Sequence, residues 1–171
     1  MNKMKEIKIE KVTLNIGTGK DQTKLEKGMK LIKNITGITP VKTITKKRIP
    51  NWGIRPGLPV GCKLTLRRNK ALAIIPKLLA AKDNKLEPAQ FDENGSIAFG
   101  IPEYIDVPET KYDPEIGMMG LEICITLERN GFRIKKRKIK KQKISKRHAI
   151  SKQEAMEFIK NKFNVRIGES E

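Results

Sequence analysis

The sequence predicts an α+β domain: a mainly antiparallel β-sheet with helices packed on one face and an open basic face on the other. Three observations predict it. Apolar residues alternate with polar ones over several short runs, the signature of strands buried on one side only. Hairpin and turn signals separate those runs, and the regular strand–helix–strand alternation of a parallel sheet is missing. The 171 residues include 37 Lys and Arg against 19 Asp and Glu, a formal charge of +18, and basic residues recur at the polar strand positions.

Each element follows in order. Val12, Leu14 and Ile16 alternate with polar residues as a first strand. Ile7 and Ile9 have the opposite parity, which predicts a bulge or bend near Glu10 and Lys11. The stretch NIGTGKDQ turns the chain into a helix with Thr23 and Glu26 as its capping box, Leu25, Met29, Ile32 and Ile35 as its buried stripe, and Gly37 as its stop. A second strand covers 41–46, with Thr43 and Thr45 on one face. In the third, Val60, Cys62, Leu64 and Leu66 alternate with Gly61, Lys63, Thr65 and Arg67. Asn69 is placed to cap a helix running to about residue 82, which Pro76 should kink or break.

A short strand around 97–101 and a long irregular segment, PEYIDVPETKYDPEIGMMG, precede a strand over 121–128. Asn130-Gly131 is a strong hairpin signal and turns the chain into a further strand, FRIKK. The last helix opens on a capping box of Ser151 and Glu154 and buries Ala155, Ile159 and Phe163.

Charge is distributed unevenly. Residues 1–82 hold 20 basic and 4 acidic residues, 83–128 hold 2 and 11, and 129–171 hold 15 and 4. A basic body with an acidic insert has one face that meets an anionic partner and one that does not, and nucleic acid is the commonest such partner. The two cysteines, Cys62 and Cys124, make no metal motif, and their opposite strand parity indicates neither a disulfide nor a reactive thiol. No signal-peptide pattern is present. The longest apolar run, ALAIIPKLLAA, contains Lys77 and is too short to cross a bilayer. A reducing cytoplasm and no membrane partner are expected.

Candidate chemical sites fall away in turn. GTGKD, at 17–21, sits where a phosphate-binding loop would, but Leu14 stands in place of its early glycine and Asp21 in place of its magnesium-holding hydroxyl. A tight turn, or backbone N–H groups at a helix start meeting an RNA phosphate, are the readings left. Glu103, Asp106, Asp113 and Glu115 have no fixed ligand spacing and read as a solvated acidic loop. His148 has no carboxylate at a telling spacing, which leaves a phosphate contact or solvent exposure. No catalytic constellation, metal site or cofactor is expected.

Two readings stand for Lys63, Thr65 and Arg67, with Thr43 and Thr45 alongside. Lys63 and Arg67 pair with Glu122 and Glu128 on a neighbouring strand, or the face holds a sugar–phosphate backbone. Aromatics are scarce on these strands, which favours shape and backbone recognition of folded RNA over base stacking. Residues 133–147 hold ten Lys or Arg and no acid, and so many like charges are relieved in an RNA groove. Composition alone also fits a nuclear-import signal there. Trp52, the single tryptophan, lies in a Pro- and Gly-rich loop, either tucked back on its own strands or exposed to pack on a ribose or base.

The segments KVTLNIGTG, ITGITPVKTITKKRI, WGIRPGLPVGCKLTLR, FGIPEYIDVPETKYDPEIG and KISKRHAISKQEAMEFI, in order from about residue 6 to 167, closely resemble the large-subunit ribosomal protein L-five family in its archaeal form. The resemblance implies a non-enzymatic structural protein of the large ribosomal subunit, in the cytoplasm, that binds 5S rRNA in the central protuberance. It implies 5S rRNA contacts at Asn15, Gly17, Thr43, Thr45, Lys63, Thr65 and Arg67, and Lys11 is a further rRNA-binding candidate. The loop 47–59 would reach P-site tRNA through Lys47, Arg48, Trp52, Gly53, Ile54 and Arg55. A basic segment, 133–148, with Lys135, Arg137, Lys140, Arg147 and His148, would meet 5S rRNA, large-subunit rRNA or another ribosomal protein of the central protuberance. Many relatives carry phenylalanine where Trp52 stands. The whole of 1–171 is expected to be a single domain. A metal-dependent RNA-processing enzyme and a non-specific RNA chaperone are the alternatives.

Overall fold

The computed structural model describes residues 2–168. Strand β1 (Ile7–Gly17) leads into helix α1 (Gln22–Thr36), then β2 (Val41–Ile44) and β3 (Pro59–Leu66). Helix α2 (Arg68–Ala80) follows, then β4 (Lys85–Leu86), β5 (Ile97–Ile101), β6 (Leu121–Arg129), α3 (Lys152–Phe163) and β7 (Arg166–Ile167). Five strands form an antiparallel sheet in the order β2-β3-β1-β6-β5, and β4 and β7 make a small parallel pair. Because β3 lies between β1 and β2, the β1–α1–β2 connection crosses over one strand.

Alternation sets the two faces. Val12, Leu14 and Ile16 of β1, Cys62, Leu64 and Leu66 of β3, Ile97, Phe99 and Ile101 of β5, and Leu121, Ile123, Ile125 and Leu127 of β6 are all buried. The residues between them, among them Thr13, Asn15, Lys63, Thr65, Gly100, Glu122 and Cys124, are half-buried or exposed. A period of two with one apolar parity gives this result whenever only one face of a sheet is covered.

The chain clusters into two compact units. One takes, of the described residues, 2–12, 67–98 and 124–168; its core includes Ala71, Ile75, Leu78, Leu79, Ile125, Ala155 and Ile159. The other takes Thr13–Leu66 and Phe99–Ile123, with Leu14, Leu25, Leu31, Ile32, Cys62, Tyr104 and Ile116 inside. In this second unit α1 lies close on the sheet at Gly28, where a Cβ would stand 3.3 Å from both Cys62 Sγ and Ile16 Cγ2.

Several expectations are corrected. β1 runs unbroken through Glu10 and Lys11, and Glu10 takes a core-parity position at 8% exposure, while Ile7 and Ile9 lie half-buried on the other parity. The cap of α1 is Asp21, whose carboxylate accepts from Thr23 N and Lys24 N, so the box of Thr23 and Glu26 does not form. The buried residues of α1 are Leu25, Gly28, Leu31 and Ile32, with Met29 and Ile35 only half-buried. Gly37 does end it, left-handed at φ 70°.

Helix α2 starts one residue before Asn69 and runs through Pro76 to Ala80. Pro76 and Leu72, the residue whose carbonyl loses its helical donor, both lie on the exposed side of the helix, away from its buried stripe. FRIKK is not a strand. The Asn-Gly hairpin turn needs positive φ at both residues, and only Gly131 has it, at 93°; a 3-10 turn over Phe132–Lys135 follows. The capping box of Ser151 and Glu154 is present as expected, with Ala155 and Ile159 buried and Phe163 half-buried.

Candidate nucleic-acid interface

Within the Thr13–Leu66 and Phe99–Ile123 unit, β3 carries Lys63 and Thr65 outward, both exposed, and β2 pairs antiparallel with it as Val41↔Lys63 and Thr43↔Gly61. Neither side chain lies beneath a helix. Among the described residues Lys63 forms no ion pair, and Glu122 accepts a hydrogen bond from Asn15 Nδ2 at 2.9 Å. The expected pairing of Lys63 with Glu122 is therefore not made.

Thr43 is half-buried, and its hydroxyl oxygen is shielded and unpaired. Thr45 lies beyond a register shift after Thr43, and its hydroxyl donates to Lys47 O at 3.1 Å, closing a local turn. Asn15 is half-buried and Gly17 exposed at the end of β1. The turn that follows binds its own amides: Thr18 N and Gly19 N donate to Val60 O, and Thr23 N and Lys24 N donate to Asp21 Oδ1. The carboxylate at the start of α1 already occupies the helix N-terminus, so the phosphate-cradle reading of GTGKD is overturned.

The loop between β2 and β3 is a narrow two-runged extension. Thr45 N donates to Leu58 O and Gly57 N to Thr45 O at its base, and Ile49 bridges Ile54 higher up. A 3-10 turn, Pro50–Trp52, caps it, closed by left-handed Gly53 at φ 65°. Such a ladder makes the loop ordered rather than irregular, with proline at the first turn position. Lys47, Arg48 and Arg55 are exposed and Trp52 is 68% exposed, so the tryptophan is not tucked onto its strands. Ile54 is only 5% exposed, so its side chain is not presented at the tip.

In the other unit, Arg67 is exposed at the head of α2, but its guanidinium lies 3.4 Å from Glu10, not on Glu128. Lys136 Nζ is 2.7 Å from Glu10 and 3.0 Å from Glu128. Burial alone would push the Glu10 carboxyl up, but the hydrogen bond and charge of Lys136, with Lys11 and Lys135, outweigh it and hold the group below its ordinary range. Lys11 is half-buried on the uncovered parity of β1.

The basic segment is partly built into the fold. Lys135 stands 4.9 Å over the Phe132 ring, and Arg137 Nε donates to Lys140 O at 2.7 Å. Lys140 and Arg147 are exposed. His148 is half-buried, with Nε2 2.9 Å from Asn130 O and its ring edge-on to Phe132, so neither expected role, phosphate contact or free exposure, describes that nitrogen.

The acidic candidates are also engaged. Lys30 of α1 bridges Asp113 and Glu115, and their hydrogen bonds raise its ammonium above the usual value while lowering Asp113. Glu103 and Asp106 are exposed, Glu103 just before and Asp106 at the end of a 3-10 turn that opens on the buried Tyr104. Among the described residues no group of three or more His, Cys, Asp or Glu is placed to hold a metal.

Sequence reasoning missed two pairings. Arg129 is 5% exposed at the end of β6 and donates to Ala149 O (2.9 Å), His148 O (3.3 Å) and Glu154 (2.6 Å). The other is Glu10 with Lys136. In both, an ionisable residue at core parity on a strand was the available signal.

An α+β protein with a bare sheet face and a basic extension ending in an exposed indole fits the class of proteins built to lie against nucleic acid. Comparison with known proteins defines it further. Residues 2–55 match the family model described as ribosomal protein L5, and residues 59–165 match the model of that ribosomal family's C-terminus. The chain is 47% identical over 170 residues to the large ribosomal subunit protein uL5 of Sulfurisphaera tokodaii, covering 99% of this chain and 96% of that protein. It is 49% identical to the uL5 of Nanoarchaeum equitans (96% and 97% covered) and 42% to that of Methanobrevibacter smithii (96% and 97%). The chain belongs to the ribosomal protein L5 family, and it is not an enzyme.

Proposed function

We propose that this chain is a structural constituent of the large ribosomal subunit, at work in the cytoplasm, that binds 5S rRNA through the uncovered sheet face and meets P-site tRNA through the loop 47–59. Large-subunit rRNA and proteins of the central protuberance complete its surroundings. The observation that carries the reading is the outward placement of Lys63 and Thr65 on a strand whose other face is core. A cation and a hydroxyl two residues apart on a pleat suit successive backbone phosphates and riboses. Lys47, Arg48 and Arg55 give the loop its charge, and Trp52 gives it a flat surface for a ribose or base.

The test replaces exposed residues only. Arg67 is unsuitable, because a carboxylate there would face Glu10 and disturb the fold. The double variant Lys63→Glu, Thr65→Glu keeps the wild-type melting midpoint and binds 5S RNA at least about tenfold more weakly, from loss of one charge-assisted contact. Its salt slope is shallower by about 0.7 to 0.9 for the lost phosphate. Unchanged 5S affinity in a gel shift refutes the sheet-face reading. For the loop, Trp52 is the single tryptophan and reports its own contact. Its fluorescence changes on adding tRNA but not duplex DNA, and equal response to both refutes the loop reading.

A further inference from the structure

The open sheet face is bare at one place. Gly17 at the end of β1, Gly100 in β5 and Gly120 beside β6 line a groove of about 400 Å³, with Asn15, Pro102 and Glu122 around it. The three glycines differ in their reasons. At Gly120 a Cβ would fall 2.8 Å from Pro102 O and 2.9 Å from Ile101 O, so the approach of the two chain segments requires glycine. Gly17 and Gly100 have no such internal reason: a Cβ at either meets nothing within 4 Å, and neither has a left-handed φ. With packing and conformation set aside, close approach of an outside group to the backbone is a remaining reason for a strand glycine.

At the rim stands an exposed carboxylate on the face assigned to RNA. Glu122 is held by Asn15 Nδ2 at 2.9 Å, and among the described residues no Lys or Arg forms an ion pair with it. A carboxylate only accepts hydrogen bonds, and it repels phosphate. RNA offers it ribose 2′-hydroxyls, which every nucleotide carries and which distinguish no base, and base N–H groups, which do. Cytosine and adenine each place a ring acceptor beside their amino group, and uracil places its one N–H between two carbonyls. Guanine alone presents two adjacent donors, N1–H and N2–H, which match the two oxygens of a carboxylate. Asn15 retains a second amide N–H for the neighbouring O6.

We propose that this groove is a base-reading site for an unpaired guanine, with Glu122 accepting from N1–H and N2–H, Asn15 positioning the carboxylate, and the base lying flat over Gly17 and Gly100. The site rests on the RNA-binding reading above and adds to backbone recognition a preference for one base.

Fluorescence anisotropy of the full chain with labelled hexanucleotides tests it: UUUGUU, and the same sequence with inosine, adenosine or uridine in place of guanosine. The wild type binds the guanosine hexamer about tenfold more tightly than the others. Inosine, which lacks the N2 amino group, loses most of that gain. Glu122→Gln abolishes the preference, and so does Gly100→Leu, whose side chain enters open space and leaves the circular dichroism spectrum intact. Glu103→Gln, an exposed charge control elsewhere, keeps it. Equal affinity of the wild type for all four hexamers overturns the proposal, as does a preference that survives Glu122→Gln or Gly100→Leu. A 5S RNA gel shift on the same preparations separates the two levels. Tight 5S binding without guanine preference sinks the base site alone, whereas absent 5S binding sinks the reading beneath it.

Discussion

Replacing Lys136 with methionine should destabilise the protein in a pH-dependent way that its exposed position would not suggest. Glu10 is 8% exposed, with Lys136 Nζ at 2.7 Å and the Arg67 guanidinium at 3.4 Å. Breaking a buried ion pair costs about 3–5 kcal/mol. Here the Lys136 side chain is 41% exposed and Arg67 remains, so screening and the second cation reduce the cost to about 1–2 kcal/mol. In a chain of this size each kcal/mol moves the midpoint by about 2–4 °C, which gives a fall of about 2–8 °C at pH 7.

The pH profile follows from the two shifts. Glu10 titrates below its ordinary 4.5 in the folded state, so its contribution is present above that value and lost as pH falls through the lowered one. Burial alone would lower the Lys136 ammonium, but Glu10 and Glu128 raise it above 10.5, so its contribution is present below 10.5 and lost as pH rises through the raised value. Calorimetric midpoints of wild type and Lys136→Met should therefore differ by a constant amount from about pH 5 to 10 and converge at acid pH. Adding Glu10→Gln should shrink the cost of Lys136→Met, because no buried charge is then left alone. A midpoint within about 1 °C of wild type at pH 7, or a gap that persists in acid, refutes the network's role.

Arg129→Lys should cost about 1–3 kcal/mol by urea midpoint and Arg129→Met more, because only a guanidinium fork reaches Glu154 and two carbonyls together. Equal stability of the lysine variant and the wild type would show that the fork is dispensable. The two thiols should separate cleanly. Cys62 is fully buried and its thiol is pushed up to about 11 by desolvation, while Cys124 is exposed. Ellman's reagent at pH 8 should titrate a single thiol in the native chain and both in guanidinium; two fast thiols in the native chain would mean that α1 does not cover β3.

The covered and bare faces were legible because strand alternation is a local rule: each run states its own inside and outside. Pairing was not. Glu10 shares the parity of Val12, Leu14 and Ile16, and a bend was expected only because Ile7 and Ile9 claim the other face. The structure keeps the strand whole and brings cations to the glutamate from residues 57 and 126 positions away in the chain. Caps failed by competition. Thr23 and Glu26 satisfy the box pattern, but Asp21 reaches Thr23 N and Lys24 N first, and a carboxylate binds amides more strongly than a hydroxyl. The Asn130-Gly131 hairpin lost to long-range bonds: Asn130 donates to Lys3 O, and its own carbonyl meets His148. Dipeptide signals weigh only their neighbours.

The same distinction bears on charge. Ten cations within 133–147 read as one RNA-binding run, yet Lys135 sits on the Phe132 ring, Lys136 holds Glu10 and Glu128, and Arg137 is bonded to the Lys140 carbonyl. Elsewhere Lys30, Arg67 and Arg129 are paired within the fold. A cation already facing a buried carboxylate contributes little to counterion release when RNA binds, since its neutralising partner is part of the protein. Block neutralisation of the basic segment would therefore mix lost stability with lost affinity. Substituting Lys140 and Arg147, both exposed, isolates affinity from folding, and the salt slope of each variant counts only the phosphates that its residue meets.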